Sequence, residues 1–299
     1  MTIGNRQPKQ NGSNYSCIIT AYAEIDEMVY VLLTLNSLLM IVMPLLLGIW
    51  LVHRYQVSWK LFLIGAAGFV VSQIGHIPFN QFVLDPYVTG LLEPGETIGR
   101  VLTTALLYGL SAGLFEEMTR YFFYYFRNSM RGWDGGLMFG AGWGGIEAIL
   151  LGLLAATTII NVYIYQNGLL ENFVPAEQLA GSAQEIAAAA AQIEELVNSP
   201  PWLFLLGAVE RVFAIIIQIS LSILVLQVFV RRNIIWLFAA IGWHTLIDAV
   251  AVVGLMQEWD PLLIEAAVGL PALIVGLFII RYFKPLEADQ LVSESAGRP

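Results

Sequence analysis

Charge is what this chain has least of. Only 12% of its 299 residues are Asp, Glu, Lys or Arg, while 58% are hydrophobic. A water-soluble domain of this size carries roughly 25% charged residues. The deficit excludes a fully water-facing surface, so lipid is expected to be the solvent for much of the chain. Positive charge is the scarcer sign: 14 Lys and Arg stand against 23 Asp and Glu, a formal net charge of −9. That excludes a nucleic-acid footprint, which needs clustered cations. Cysteine is nearly absent. Cys17 stands alone, which excludes an intrachain disulfide and any cysteine-based zinc site. No cleavable leader is expected either. The first 27 residues are polar and the first apolar run is long enough to be kept as a transmembrane helix. No tandem repeat is evident.

What the chain does have is long apolar runs. About 20 residues are needed to cross roughly 30 Å of hydrocarbon as a helix. Seven runs qualify: 28–53, 59–84, 98–126, 134–165, 202–230, 233–256 and 261–283. The expected fold is therefore all-α, a polytopic membrane bundle of about seven transmembrane helices. It occupies residues 28–284, between a polar tail over 1–27 and another over 285–299. One connector is long, 166–200, and its Gln184, Glu185, Ile186, Gln192, Ile193, Glu194, Glu195 and Leu196 predict an extracytoplasmic amphipathic helix lying at or above the membrane surface. Pro44 and Pro78 are positions where the first two spans are open to breaking.

Cations mark cytoplasmic loops. Arg54 and Lys60, Arg127 and Arg131, Arg231 and Arg232, and Arg281 with Lys284 fall at alternate turns. The other turns are acidic: Asp85, Glu93 and Glu96; Glu171 to Glu195; Glu258 and Asp260. The pattern predicts a multi-pass plasma-membrane protein with its N-terminus outside and its C-terminus inside. Tyr121 to Phe126 reads as an aromatic belt at the interface.

Ionisable residues also fall inside the apolar runs, where each costs a few kcal/mol unless it faces water or a partner. They are His76; Glu116, Glu117 and Arg120; Glu147; Glu210 and Arg211; and His244 with Asp248. Glu116, Glu147 and His244 each lie about ten to thirteen residues, roughly 15–20 Å, from the basic end of their helices, near mid-bilayer. His244 and Asp248 are four apart and share a helix face, as do Trp143 and Glu147. Glu117 and Arg120, three apart, can pair with each other while Glu116 points elsewhere. A His/Asp pair beside a carboxylate from another helix suits a divalent metal, zinc above others. A spare carboxylate would then act on a metal-bound water. Each piece also has a structural reading: interhelical hydrogen bonding for His244, an internal ion pair for Glu117–Arg120, orientation of the imidazole for Asp248. The glycines around Trp143 most simply permit close helix packing. Glu210 and Arg211, adjacent in sequence, are expected to find separate partners.

At Phe115-Glu116-Glu117-Met118-Thr119-Arg120-Tyr121 the chain resembles the double-glutamate motif of the YhfC-type intramembrane metalloproteases. These are similar to the wider group of CAAX-prenyl-protease and bacteriocin-processing membrane enzymes. Phe139-Gly140-Ala141-Gly142-Trp143 occupies the place of that group's second motif, a Phe followed four residues later by His. His244-Thr245-Leu246-Ile247-Asp248 matches the third, a His followed four residues later by Asn or Asp. The likeness covers about 30–280. It implies a metal-dependent intramembrane peptidase acting on a peptide or membrane-protein substrate. The implied catalytic set is Glu116, Glu117 and Arg120, the glutamates polarising the attacking water. His244 and Asp248 would help to hold a metal or the oxyanion.

Two departures stand out. Two residues rather than three separate the double Glu from Arg120, as suits the narrower YhfC-like branch. Trp143 stands where the second motif has His, and indole has no lone pair for a metal. Glu147, one turn on, is then the expected third ligand beside His244 and Asp248, with His76 as another substitute. Failing both, the site would be that of a catalytically silent relative acting as a binding or scaffold protein. A small proton-coupled transporter is the rival reading from a different class, since buried Glu, Asp and His also build proton relays.

Overall fold

The structure, a computed structural model, describes residues 27–91, 97–167, 169 and 183–285. The two expected tails lie almost wholly outside these residues, and the 166–200 connector lies partly outside them. Among the described residues every regular element is helical, and seven helices are long and apolar enough to cross a membrane. They run Glu27–Tyr55, Trp59–Gly90, Ile98–Phe126, Trp133–Ile164, Pro201–Val230, Ile235–Met256 and Pro261–Tyr282. These are called the first to seventh spans.

The sequence punctuates them in readable ways. Ser58 accepts a hydrogen bond from the backbone N–H of Lys60 and so caps the second span. Asp260 does the same for Leu262 ahead of Pro261, the first residue of the seventh. Pro44 sits inside an unbroken helix. Pro78 is followed by a π-helical turn over Asn80–Leu84, and Pro271 by another over Ala272–Gly276. A proline withholds a backbone donor, and a widened turn is one way the ladder absorbs that loss. The second span therefore continues past its expected end at 84. Asp85, expected in an acidic loop, instead opens a further helical stretch, Asp85–Leu91. Its carboxylate accepts from the Tyr108 hydroxyl at 2.7 Å.

The chain divides into two compact units. The smaller comprises Met1–Asn36 and Leu154–Leu205. Within it the helix Ala183–Asn198 falls inside the predicted amphipathic segment. Leu196 and Ile159 pack against a small apolar cluster of Val29, Leu33 and Phe204.

The larger unit, Ser37–Leu153 and Leu206–Pro299, holds the main core. The fifth span is its axis, buried almost continuously from Ile215 to Val228. The third and sixth spans cross at glycines. A methyl group on Gly109 would lie 2.5 Å from the Thr245 carbonyl oxygen, and one on Gly113 3.0 Å from that of Ile241. Only small residues allow backbones this close in a membrane bundle. Gly142 does the same for the second and fourth spans, where a methyl would meet the Phe62 carbonyl oxygen at 2.0 Å.

At the basic end of this unit the cations lie over rings. The Arg131 guanidinium is 4.2 Å from the Phe229 ring centre, and Arg231 is 4.9 Å from that of Phe283. Tyr124 corrects the reading of 121–126 as a uniform interfacial belt. Phe122, Tyr125 and Phe126 are exposed, but Tyr124 is fully buried against Phe139 and Phe229. Helical rotation turns every third or fourth residue of that run inward.

Candidate functional site

The third span carries Glu116, Glu117 and Arg120 on its buried side. Glu117 and Arg120 are fully enclosed, and Arg120 Nη1 donates to both Glu117 oxygens at 3.1 and 3.0 Å. The close crossing at Gly109 and Gly113 brings the sixth span near enough for His244 to join them. Its Nδ1 lies 2.8 Å from Glu117 Oε1, so Nδ1–H is the donor and Nε2 is left facing Asp248 Oδ2 at 3.5 Å. That distance is too long for a firm hydrogen bond. The Asp248 side chain is 37% exposed, whereas the His244 ring is buried.

Glu116 is held by neutral N–H donors from three other spans. Gln73 Nε2 donates to Oε1 at 3.1 Å, and Trp143 Nε1 to Oε2 at 2.9 Å. Gln218 Nε2 also reaches Oε2, at 3.2 Å. The Arg120 guanidinium lies face-on to the Trp143 ring, 4.3 Å from its centre. Desolvated stacking of this kind contributes up to about 2 kcal/mol. Trp143, with no exposed surface, thus does two jobs here: it donates to Glu116 and roofs Arg120.

Glu147 belongs to the same network by another route. Arg211 Nη1 donates to its Oε1 at 2.8 Å, and Gln218 Nε2 to its Oε2 at 3.1 Å. Arg211 also bonds Glu210 through its other terminal nitrogen. Glu210 and Arg211 therefore do not find separate partners as expected. The long guanidinium folds back to its neighbour while reaching the fourth span.

His76 joins from the far side of Gln73. Its ring stacks on Phe115. Nδ1 is 3.3 Å from Gln73 Oε1, and Nε2 lies 3.1 Å from the Ser111 hydroxyl and 3.0 Å from Asn80 Nδ2. The network fits an Nδ1–H tautomer that donates to Gln73 and accepts from Asn80.

Glu116, Glu117, Arg120, Trp143, Glu147, His244 and Asp248, all named by their spacing, fall in one connected region, with His76 at its edge. The spacing argument missed the amides that connect them. Gln73 and Asn80 flank His76 at helical spacing on the second span, and Gln218 lies two turns after Arg211. A search for every hydrogen-bonding side chain inside an apolar run finds these; a search for ionisable groups does not.

The expected metal centre fares differently. A metal needs several lone pairs aimed at one point. Among the described residues no group of three or more His, Cys, Asp or Glu side chains is arranged to hold a metal ion. The proposed ligands His244, Asp248 and Glu147 do not converge. Both Glu147 oxygens accept N–H bonds from Arg211 and Gln218, and His244 spends Nδ1 on Glu117. Both oxygens of Glu117 accept N–H bonds as well, and Glu116 accepts three, one on Oε1 and two on Oε2, which leaves it one lone pair, on Oε1, for a further partner. Trp143 presents an N–H where a ligand would present a lone pair. The residues present do not fit zinc.

This is a multi-pass helical membrane protein with a buried carboxylate–imidazole–guanidinium network at mid-span. Residues 39–266 match the family described as YhfC intramembrane metalloprotease, and the chain belongs to that family. It is 31% identical over 234 residues to a protein of Bacillus subtilis (strain 168) described as "Uncharacterized membrane protein YhfC". That match covers 76% of this chain and 86% of the relative. No solved structure matches it.

Proposed function

We propose that the chain is an intramembrane peptidase in which a buried glutamate, rather than a metal, activates the attacking water. The observation that carries this reading is Glu116 lying beside a Glu117–His244 pair joined at 2.8 Å inside the bundle. Burying ions at this depth costs several kcal/mol each before pairing.

In the proposed reaction Glu116 takes a proton from water as the water oxygen bonds to the peptide carbonyl carbon. His244, as an imidazolium whose Nδ1–H is held by Glu117, presents Nε2–H to the oxyanion. As the C–N bond breaks, the proton held on Glu116 passes to the leaving amine. Arg120 balances the charge of Glu117 and keeps that carboxylate aimed at His244. The substrate class is a peptide segment of a membrane-embedded or membrane-bound protein. The expected orientation, N-terminus outside a plasma membrane, draws support from the cation and ring pairs gathered at one end of the larger unit.

One observation favours a second reading, a catalytically silent relative that binds without cleaving. Trp143 donates to the carboxylate that the reaction needs free for water. Reconstituted protein decides between the two with a quenched-fluorescent single-span reporter peptide. The peptidase reading expects cleavage, lost at least about 100-fold in Glu116→Gln with the fold intact. A wild-type protein that binds the reporter and leaves it whole supports the silent relative.

A further inference from the structure

Gln218, on the fifth span, bonds charged groups of two other helices: Arg120 and Glu116 of the third and Glu147 of the fourth. Its side chain is buried on the fifth span and its amide has an unambiguous orientation. The carbonyl oxygen accepts from Arg120 Nη2 at 2.6 Å. The amide nitrogen donates to Glu116 Oε2 at 3.2 Å and to Glu147 Oε2 at 3.1 Å. The reverse orientation would set an oxygen against two carboxylates and a nitrogen against a guanidinium.

This arrangement divides the Arg120 guanidinium. Nη1 is committed to Glu117, and Nη2 to the Gln218 carbonyl, which leaves Nη2 4.0 Å from Glu116 Oε2. Without that carbonyl, Nη2 would have one strong acceptor within reach, the Glu116 carboxylate. A guanidinium bonded to both glutamates would neutralise the proposed base as well as its neighbour. The two adjacent glutamates are chemically alike in sequence. In the structure they differ because Glu117 has the cation and the imidazole, while among the described residues Glu116 has only neutral donors within hydrogen-bonding distance.

We propose that Gln218 is a positioning residue for the peptidase reaction: it holds Arg120 on Glu117 and away from Glu116, so that Glu116 remains the carboxylate available to water. The proposal rests on the peptidase reading for its kinetic consequence, and on geometry alone for its structural one. Nothing in the double-glutamate, Phe-to-Trp or His-to-Asp motifs includes Gln218, which lies on a different span from all three.

The test is Gln218→Met, which keeps the length and volume of the side chain and removes both amide functions. Two measurements are made on the full chain in detergent or proteoliposomes: cleavage of the single-span reporter, and a high-resolution structure of the variant. The expected result is a fall in kcat of about 10- to 100-fold with KM within about twofold. Arg120 is expected to have moved into direct hydrogen-bond contact with Glu116. A KM effect alone, an unchanged kcat, or Arg120 still divided as in the wild type overturns the proposal. If the wild-type protein cleaves nothing, the peptidase reading fails, and the position of Arg120 in the variant still decides the geometric claim. Should Gln218→Met not fold, Gln218→Asn, which keeps the amide one methylene short of its partners, is expected to show the same shift of Arg120 with a smaller loss of kcat. An asparagine variant indistinguishable from wild type in both measurements also overturns it.

Discussion

Arg120 and Arg211 invite comparison. Each sits inside a span of the larger unit, each faces two carboxylates, and each has a buried Nε without a hydrogen-bond partner among the described residues. They differ in what surrounds them. Arg120 and Glu117 have no exposed side-chain surface, whereas Glu147 is 22% exposed and Glu210 is 46% exposed. The enclosed pair is locked by Trp143, Gln218 and His244 into a single arrangement. The other is half-open: the Arg211 side chain is 7% exposed, but both its carboxylate partners reach the surface. Identical chemistry thus gives a fixed electrostatic frame in one place and a half-open margin in the other.

Substitutions can break that contrast, and the largest effect belongs to the enclosed pair. Arg120→Leu leaves the fully enclosed Glu117 with the His244 bond but without its counter-ion, and removes the cation over Trp143. A loss of about 3–5 kcal/mol is expected, measured as a large drop in the unfolding midpoint or as failure to accumulate folded protein in detergent. Arg211→Leu should cost less, about 1–3 kcal/mol, because Glu147 keeps its bond from Gln218 and has partial access to the surroundings. If the two arginines prove equally costly, enclosure is not what separates them. Trp143→Phe keeps a ring under Arg120 and deletes only the N–H to Glu116, so about 1–2 kcal/mol is expected in the same assay. Glu210→Gln removes the most exposed partner and should change the midpoint by less than the equivalent of about 1 kcal/mol.

Trp143→His sharpens the comparison in another way. It replaces an N–H donor with a lone pair at the centre of the frame. Zinc is then expected to raise the unfolding midpoint of the variant and leave that of the wild type unchanged. A zinc-dependent shift in the wild-type protein would contradict the misfit between its donor set and a metal.

The fold was almost fully legible in the sequence because the membrane imposes it. Runs of about 20 apolar residues admit few solutions, and all seven expected spans have a counterpart with ends within a few residues, the second excepted. There the π-turn after Pro78 lets the helix run on to Gly90. Counting residues from the basic end puts Glu116, Glu147 and His244 at one expected level; in the structure Gln218 bonds both Glu116 and Glu147, and His244 bonds Glu117. What counting could not give was partner choice. Glu147 was expected to face a metal and instead pairs with Arg211. That depends on how far the fourth and fifth spans are rotated, which is set by packing at Gly140 against Ile219 rather than by spacing along either helix. Gln73 and Gln218 were overlooked because a neutral amide in an apolar run looks inexpensive. In this site both bond directly to Glu116.

The central claim is that Glu116 activates water for attack on a peptide bond inside the bundle. Oxygen-isotope labelling tests it most directly. Reconstituted wild-type protein incubated with the single-span reporter in H2(18)O should release a fragment whose new carboxylate carries one heavy oxygen, and Glu116→Gln should release none above background. Release of the labelled fragment at an undiminished rate by Glu116→Gln, or none from the wild-type protein under conditions where the reporter is bound, would contradict the account.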